Sequence, residues 1–275
     1  MIKDITIGQY YPGASVLHRS DARTKILLTL AFIIVIFMCK TFFSLGLMIV
    51  FLTGEVIISK VPFKTILKSL KPIIPLIILT ALLNIFYSDG GQSVIQFWKI
   101  NITDKALYTA LFIAVRITCL IICSSLLTYT TTPTMLTDGI EKLLSPLDLI
   151  LKPFHMQVHT LAMMMTLALR FIPTLIEEID KIMNAQKARG ADLESGSFID
   201  RIKALVPIII PLFISSFRRA YELAFAMDCR CYTGGKGRTR MKQMKFGFPD
   251  VIVAVAFIIM CVGIYFLNVY TKTVI

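Results

Sequence analysis

The chain has 275 residues, of which 56% are hydrophobic and only 17% are charged, and its mean hydropathy is +0.75. Soluble domains typically contain about 45–50% apolar and about 25% charged residues, so this composition excludes a soluble enzyme and predicts an integral membrane protein. The net charge of +12 is assigned to cytoplasmic loops and anionic lipid headgroups, not to nucleic acid. The six cysteines lack the spacing of a disulfide framework.

The first apolar region, residues 26–59, is too long for one membrane span. A spanning helix needs about 20 apolar residues, and this region has 34. The polar pair Lys40 and Thr41 lies near its middle and predicts a turn between two short spans, residues 26–39 and 42–59. Further apolar stretches predict spans at residues 72–87, 106–128 and 251–270. The sequence therefore predicts an all-α membrane protein with about five transmembrane helices.

Residues 60–71 form a basic amphipathic segment. Four lysines recur at roughly helical spacing with apolar residues between them, a pattern typical of a helix that lies on the membrane surface. By contrast, the loop at residues 88–104 contains a single basic residue, Lys99. Because lysines and arginines accumulate on the cytoplasmic side, we predict that the N-terminal segment 1–25 is cytoplasmic and, after five crossings, that the C-terminus is extracellular. The chain is thus predicted to be a multi-pass protein of the cell membrane.

Residues 129–247 are predicted to form a cytoplasmic domain between the span region 26–128 and the last span region 248–275. Two apolar segments inside it, residues 158–176 and 204–217, are interrupted by prolines and by Arg170. If both crossed the bilayer, a basic segment between them would be exported, against the charge rule. We therefore predict helices at or beneath the cytoplasmic surface, and the alternative is a permease with seven spans.

A weak internal repeat lies in this domain. Residues 185–190 and 226–231 both read Ala, two variable residues, a small residue, Arg and a small residue, and the two arginines are 41 positions apart. Each copy closes a long amphipathic helical pattern. The six residues at the two ends are Ala188, Arg189, Gly190, Cys229, Arg230 and Cys231.

The two ends allow two interpretations. They are either ordinary helix termini, or a duplicated docking point at which the planar guanidinium of each arginine pairs with a carboxylate or carbonyl of a partner. A duplicated cytoplasmic docking point suits a pair of similar soluble subunits, such as the ATPases that drive transport.

Three segments carry a resemblance to a known family. The opening from Gly8 to Lys25, the stretch from Leu169 to Pro173 and the stretch from Ala185 to Asp192 are similar to signatures of the transmembrane T component of energy-coupling factor (ECF) transporters. The second arginine motif departs from the family pattern, because Cys231 stands where the family usually has glycine.

The resemblance implies that Arg189 and Arg230 lie on coupling helices and anchor two ABC-type ATPase subunits, which we expect to be a heterodimer. It also implies a separate membrane-embedded S component that binds a vitamin or another micronutrient, while the T component binds none. A Cβ at position 231 disfavours the left-handed backbone of a glycine helix end, so the sequence leaves the geometry of the second end open.

Other candidate sites are weaker. Residues 234–239 superficially resemble a phosphate-binding loop but lack its spacing, so we expect ATP hydrolysis in partner subunits and no enzymatic activity or cofactor in this chain. His155 and His159 have helical spacing without a further ligand, and no metal site is predicted.

Glu55 and Arg116 lie inside predicted spans, where a charge is costly and usually paired. We hypothesise that they form an intramembrane ion pair. The alternative, an ion pathway, would suit a stand-alone secondary transporter or channel. A passive membrane anchor is a third interpretation of the whole chain.

Overall fold

The structure, a computed structural model, describes residues 10–87, 93–97, 100–147, 158–191, 198–234 and 246–270. The chain divides into two compact units. The larger contains Thr6–Leu143 and Gln243–Ile275, and the smaller contains Leu144–Lys242.

The described backbone is almost entirely helical. In chain order the elements are α1 Val16–Arg19, α2 Ala22–Met38, α3 Phe42–Ser59, α4 Phe63–Leu70, a 3-10 turn Lys71–Ile73, α5 Ile74–Tyr87, β1 Ser93–Phe97, β2 Ile100–Thr103, α6 Asp104–Thr130, α7 Pro133–Leu144, a 3-10 turn Ser145–Leu147, α8 Val158–Ala188, α9 Phe198–Asp228 and α10 Phe248–Tyr270. Helices α8 and α9 belong to the smaller unit. Helix α7, which the sequence places in the domain 129–247, is grouped with the larger unit up to Leu143.

The predicted turn between the first two spans is confirmed. Helix α2 ends at Met38, and α3 begins at Phe42 behind an N-cap at Thr41. The Thr41 hydroxyl accepts a hydrogen bond from the Ser44 amide at 3.2 Å, and the Ser44 hydroxyl accepts one from the Thr41 amide at 3.3 Å. This capping box satisfies amides that a helix start otherwise leaves unpaired.

The core of the larger unit is formed by α2, α3, α6 and α10. Helix α10 approaches α3 closely at Gly263, where an added Cβ would lie 2.9 Å from Leu47 Cδ2. A side chain at position 263 would therefore displace Leu47. The buried core residues are Phe32, Ile36, Cys39, Met48, Leu52, Cys119, Cys123, Phe257, Met260 and Ile264.

The outer faces of these helices are apolar as well. On α2, for example, an exposed stripe at helical spacing contains Leu27, Leu30, Ile34 and Phe37. Exposed apolar surface of this extent is typical of a protein that contacts lipid or other membrane proteins. Together with the helix lengths given below, it confirms an all-α membrane protein.

Five helices in the described ranges are long and apolar enough to cross a bilayer: Phe42–Ser59, Phe63–Ile85, Asp104–Thr130, Val158–Ala188 and Phe248–Tyr270. They differ from the predicted five in two respects. Helix α2 has 17 residues, at the lower limit of about 17–25 for a span, and is absent from this set, whereas α8 is included. Because the 3-10 turn joins α4 to α5, these two helices count as one candidate.

The basic segment 60–71 contains α4. All four of its lysines are exposed, whereas Ile66 is buried in a small cluster with Val61 and Tyr129 of α6. The apolar face of α4 thus packs against α6, and its lysines lie on the exposed face. Its position on the membrane surface stays a prediction.

Residues 93–97 and 100–103, in the loop predicted to lie outside, form a two-stranded antiparallel hairpin. The hairpin was not predicted from the sequence, although the alternation of apolar and polar residues in its second strand is a weak signal for a strand.

Candidate functional site

The two long helices of the smaller unit pack against each other. Helices α8 and α9 have 31 residues each. Near one end Gln186 Nε2 donates to the Pro207 carbonyl at 3.3 Å, and near the other the Tyr232 hydroxyl contacts Met163 Sδ at 3.0 Å. The C-terminal part of each helix therefore meets the N-terminal part of the other, and the pair is antiparallel.

The first arginine motif closes α8 with a left-handed glycine. Gly190 has φ +85°, and no atom lies within 4 Å of the position that a Cβ would occupy, so its backbone conformation, not space, requires glycine. The Gly190 amide donates to the Lys187 carbonyl at 3.0 Å, and the Ala191 amide donates to the Gln186 carbonyl at 3.0 Å. This is the Schellman pattern of a helix C-terminus.

The second motif repeats the same backbone pattern at α9. Cys231 has φ 53°, in the left-handed region. Its amide donates to the Asp228 carbonyl at 2.9 Å, and the Tyr232 amide donates to the Met227 carbonyl at 3.1 Å. Cys231 therefore adopts the left-handed conformation of a glycine helix end in spite of its Cβ.

Both arginines at these ends are exposed, as are their small neighbours Ala188, Gly190, Cys229 and Cys231. In the ranges that the structure describes, neither the Arg189 nor the Arg230 guanidinium makes a hydrogen bond or an ion pair. Since α8 and α9 are antiparallel, the two arginines lie at opposite ends of the helix pair. The site is thus two similar, exposed cationic tips.

The hypothesised pair of Glu55 and Arg116 does not form. Arg116 Nη2 donates to the Cys39 carbonyl at 2.7 Å, and its guanidinium lies 4.7 Å from the Phe112 ring centre and 5.8 Å from that of Phe37. The carbonyls at the end of α2 carry partial negative charge and need donors, so Arg116 Nη2 has a backbone carbonyl and not a carboxylate as its acceptor.

Glu55 has different surroundings. It lines a cavity of about 40 Å³ inside the larger unit, together with Thr24, Lys25 and Cys123. A cavity of this size has room for a few water molecules, which polar lining groups can bind.

Sequence reasoning missed a buried polar cluster that joins the ends of three helices. Asp250 at the start of α10 accepts hydrogen bonds from the Asp21 amide at 2.7 Å and from the Gly247 amide at 2.8 Å. Lys25 Nζ donates to the Thr130 carbonyl at 3.0 Å at the end of α6. An aspartate beside an apolar run is a recognisable cap signal, but its partner from a distant helix is not readable from the sequence.

The described part of the N-terminal signature, residues 10–25, is also folded. His18 Nε2 lies 2.9 Å from the Tyr11 carbonyl oxygen, and the Tyr11 amide donates to the Tyr129 carbonyl at 2.9 Å. This segment is therefore tied to the end of α6.

Several sequence candidates fall outside the described residues: Gly8, Gln9, His155, Asp192 and residues 235–239. His159 lies in α8, and no group of three or more metal-ligating side chains occurs in the described ranges.

This chain is similar to known proteins over nearly its whole length. Residues 13–241 match the CbiQ family, described as "Cobalt transport protein". The chain is 53% identical over 266 residues to the energy-coupling factor transporter transmembrane protein EcfT of Clostridium kluyveri, covering 96% of this chain and 97% of that protein. It is 52% identical over 254 residues to EcfT of Ruminiclostridium cellulolyticum, covering 92% and 93%. It is 42% identical over 268 residues to EcfT of Bacillus subtilis, covering 98% and 100%. The chain therefore belongs to the EcfT family, the energy-coupling transmembrane proteins of ECF transporters.

Proposed function

We propose that this protein is the scaffold and energy-coupling subunit of an ATP-driven importer, linking two cytoplasmic ATPase subunits to a substrate-binding S component. One observation carries the proposal. The two helix ends of the smaller unit repeat the same hydrogen-bond pattern, and each presents an exposed arginine that lacks a partner in the described part of the chain.

The chemistry of these ends suits docking to proteins. An exposed guanidinium offers a planar fork of donors that matches a carboxylate or backbone carbonyls. The small residues beside Arg189 and Arg230 allow another backbone to approach closely. Two similar tips suit two related subunits, and we propose an ABC-type ATPase pair, a heterodimer.

The helix pair supplies a path for motion. At 1.5 Å per residue, each helix of 31 residues is about 46 Å long. When the ATPases close around ATP, they would move the two tips, and α8 and α9 would pass that motion to the S component as a rigid-body rearrangement. Exposed apolar side chains on α9, among them Ile209, Phe213 and Phe217, offer a surface for such a membrane partner.

In this proposal the chain itself is non-catalytic. ATP would be hydrolysed in the two partners, the vitamin or other micronutrient would be bound by the S component, and this chain would need no metal or cofactor. Helices α8 and α9 would lie at the cytoplasmic surface, with the N-terminus cytoplasmic and the C-terminus extracellular.

The test is purification of the full chain from its native membrane in mild detergent, with identification of the co-eluting proteins. We expect two related ATPases to co-elute with the wild type and to be lost from the Arg189→Glu, Arg230→Glu double variant. The matched control is Lys181→Glu with Arg218→Glu, which makes the same charge change at exposed positions of α8 and α9 away from their ends.

The control variant should retain both ATPases. If the double arginine variant also retained them, these tips would not be the docking points. Wild-type protein that elutes alone and still transports solute in liposomes would instead favour a stand-alone secondary transporter or channel.

A further inference from the structure

The repeat that relates the two arginine tips also relates Glu178 of α8 and Arg219 of α9. The two arginine tips are 41 positions apart, and Glu178 and Arg219 are separated by the same 41 positions. Their side chains form a direct ion pair between the two helices. Each lies eleven residues before the arginine at the end of its own helix, which is about 16 Å of helix. The ion pair is thus equally far from both tips.

A contact between equivalent positions marks an axis of pseudo-two-fold symmetry, because on such an axis each residue meets its own counterpart. The polar contacts on either side fit this arrangement. The contact of Gln186 with Pro207 and that of Tyr232 with Met163 lie on opposite sides of the ion pair. The pair therefore lies at the central crossing of α8 and α9.

The charges at this crossing follow from its position. If the two repeats carried the same ionised residue on the axis, like charges would face each other, which is destabilising. Here α8 has Glu177 and Glu178, and the equivalent positions of α9 have Arg218 and Arg219. Among the described residues, Glu178 and Arg219 form the ion pair that joins the helices, and both side chains are half-buried, with 25% and 32% of their surface exposed. Glu177 and Arg218 are exposed.

We propose that the ion pair of Glu178 and Arg219 is the pivot of the two coupling helices and positions the two arginine tips relative to each other. This inference rests on the function proposed above. With the crossing point fixed, a displacement of both tips turns α8 and α9 about one point, so the movement of the ATPases reaches both helices together. Without it the helices can slide along each other, and part of that movement is lost.

The test compares Glu178→Gln, Arg219→Gln and the charge-exchanged variant Glu178→Arg with Arg219→Glu. The matched control is Glu177→Gln with Arg218→Gln, one position away on each helix and exposed. We expect the single variants to keep the ATPases bound, since the tips are intact, and to lower substrate uptake per ATP hydrolysed by about fivefold, as for a coupling loss near 1 kcal/mol. The charge exchange should restore uptake, and the control should match the wild type.

A second readout uses this chain alone. Spin labels at residues 184 and 225, which are equivalent and exposed positions on α8 and α9, report the distance between the helix arms in a cysteine-free background. We expect a broader distance distribution in both single variants and a narrow one in the charge-exchanged variant.

The outcomes separate the two proposals. Wild-type uptake efficiency in the single variants, or failure of the charge exchange to restore either readout, would overturn the pivot. Absence of ATPases from the wild-type preparation would overturn the proposed function, while the distance measurement would still show whether the ion pair fixes the crossing.

Discussion

At the scale of single residues, Cys231 determines the shape of the second arginine tip. It holds φ 53°, a conformation that costs an L-residue about 1–2 kcal/mol and costs glycine almost nothing. The Schellman bonds of the Cys231 and Tyr232 amides depend on this conformation. The strain is thus carried by one residue at the point where the partner is proposed to dock.

We therefore expect Cys231→Gly to stabilise the end of α9. The gain, after allowing for the greater freedom of glycine in the unfolded chain, is about 1 kcal/mol, or about a fivefold slower amide exchange. Hydrogen exchange of the peptide around residues 226–234 measures it. Cys231→Val, which adds a branched Cβ, should speed exchange, and Cys229→Gly serves as the control because Cys229 is not left-handed. Equal exchange in the glycine and valine variants would contradict this account.

Arg116 has a partner inside the membrane region, but not the one that the sequence predicted. The sequence indicates that a charge inside an apolar helix needs a partner. The structure supplies the Cys39 carbonyl and two aromatic rings instead of Glu55. A helix end is a partner that no residue-by-residue search for opposite charges will find.

At the scale of helices, the larger unit is closed by caps that come from distant parts of the chain. Asp250 is 4% exposed and accepts from the amide of Asp21 as well as from Gly247 beside its own helix. One carboxylate thus ties the start of α10 to the start of α2. The same end of α2 is held to α6 through Lys25.

We expect Asp250→Ala to destabilise the protein, because it leaves two amides without an acceptor, at a cost of about 2–4 kcal/mol. Thermal unfolding of the full chain in detergent should show a Tm lower by about 5–10 °C. Asp250→Asn keeps one carbonyl acceptor and should fall between the alanine variant and the wild type.

The control for this prediction is Asp104→Ala. Asp104 is also an aspartate in the first turn of a long helix, but it is exposed, so its removal should change Tm little. Equal changes in Tm at positions 104 and 250 would mean that the negative charge at a helix start, and not the buried cap, stabilises the protein.

At the scale of the whole molecule, the arrangement in the bilayer depends on whether α8 crosses it. By length and composition α8 is a candidate span. Its 31 residues, about 46 Å of helix, exceed a hydrocarbon core of about 30 Å, and the basic residues that follow its apolar part oppose export. We therefore predict that α8 and α9 stay on the cytoplasmic side.

Single cysteines in a cysteine-free background test this topology. A membrane-impermeant maleimide applied to intact cells should label Thr273→Cys and should not label Lys68→Cys or Lys187→Cys. After the cells are permeabilised all three should react, which controls for accessibility. Labelling of Lys187→Cys from outside would show that α8 crosses the membrane.

Composition and local patterns were sufficient for the membrane class, for the turn at Lys40 and Thr41, and for the two helix ends with their arginines. These features depend on nearest neighbours along the chain: apolar run length, a capping residue and the periodicity of a stripe. The match of the two ends was also visible, since a repeat is a property of the sequence.

Tertiary structure decided the rest. It brought Glu178 and Arg219 together at the crossing of α8 and α9, gave Arg116 a backbone partner, and placed Asp250 against Asp21. Each of these contacts joins positions far apart in the chain, and each satisfies a polar group that burial would otherwise leave unpaired. The sequence indicates that these polar groups need partners, but only the packing of the helices determines which partner lies within hydrogen-bonding distance.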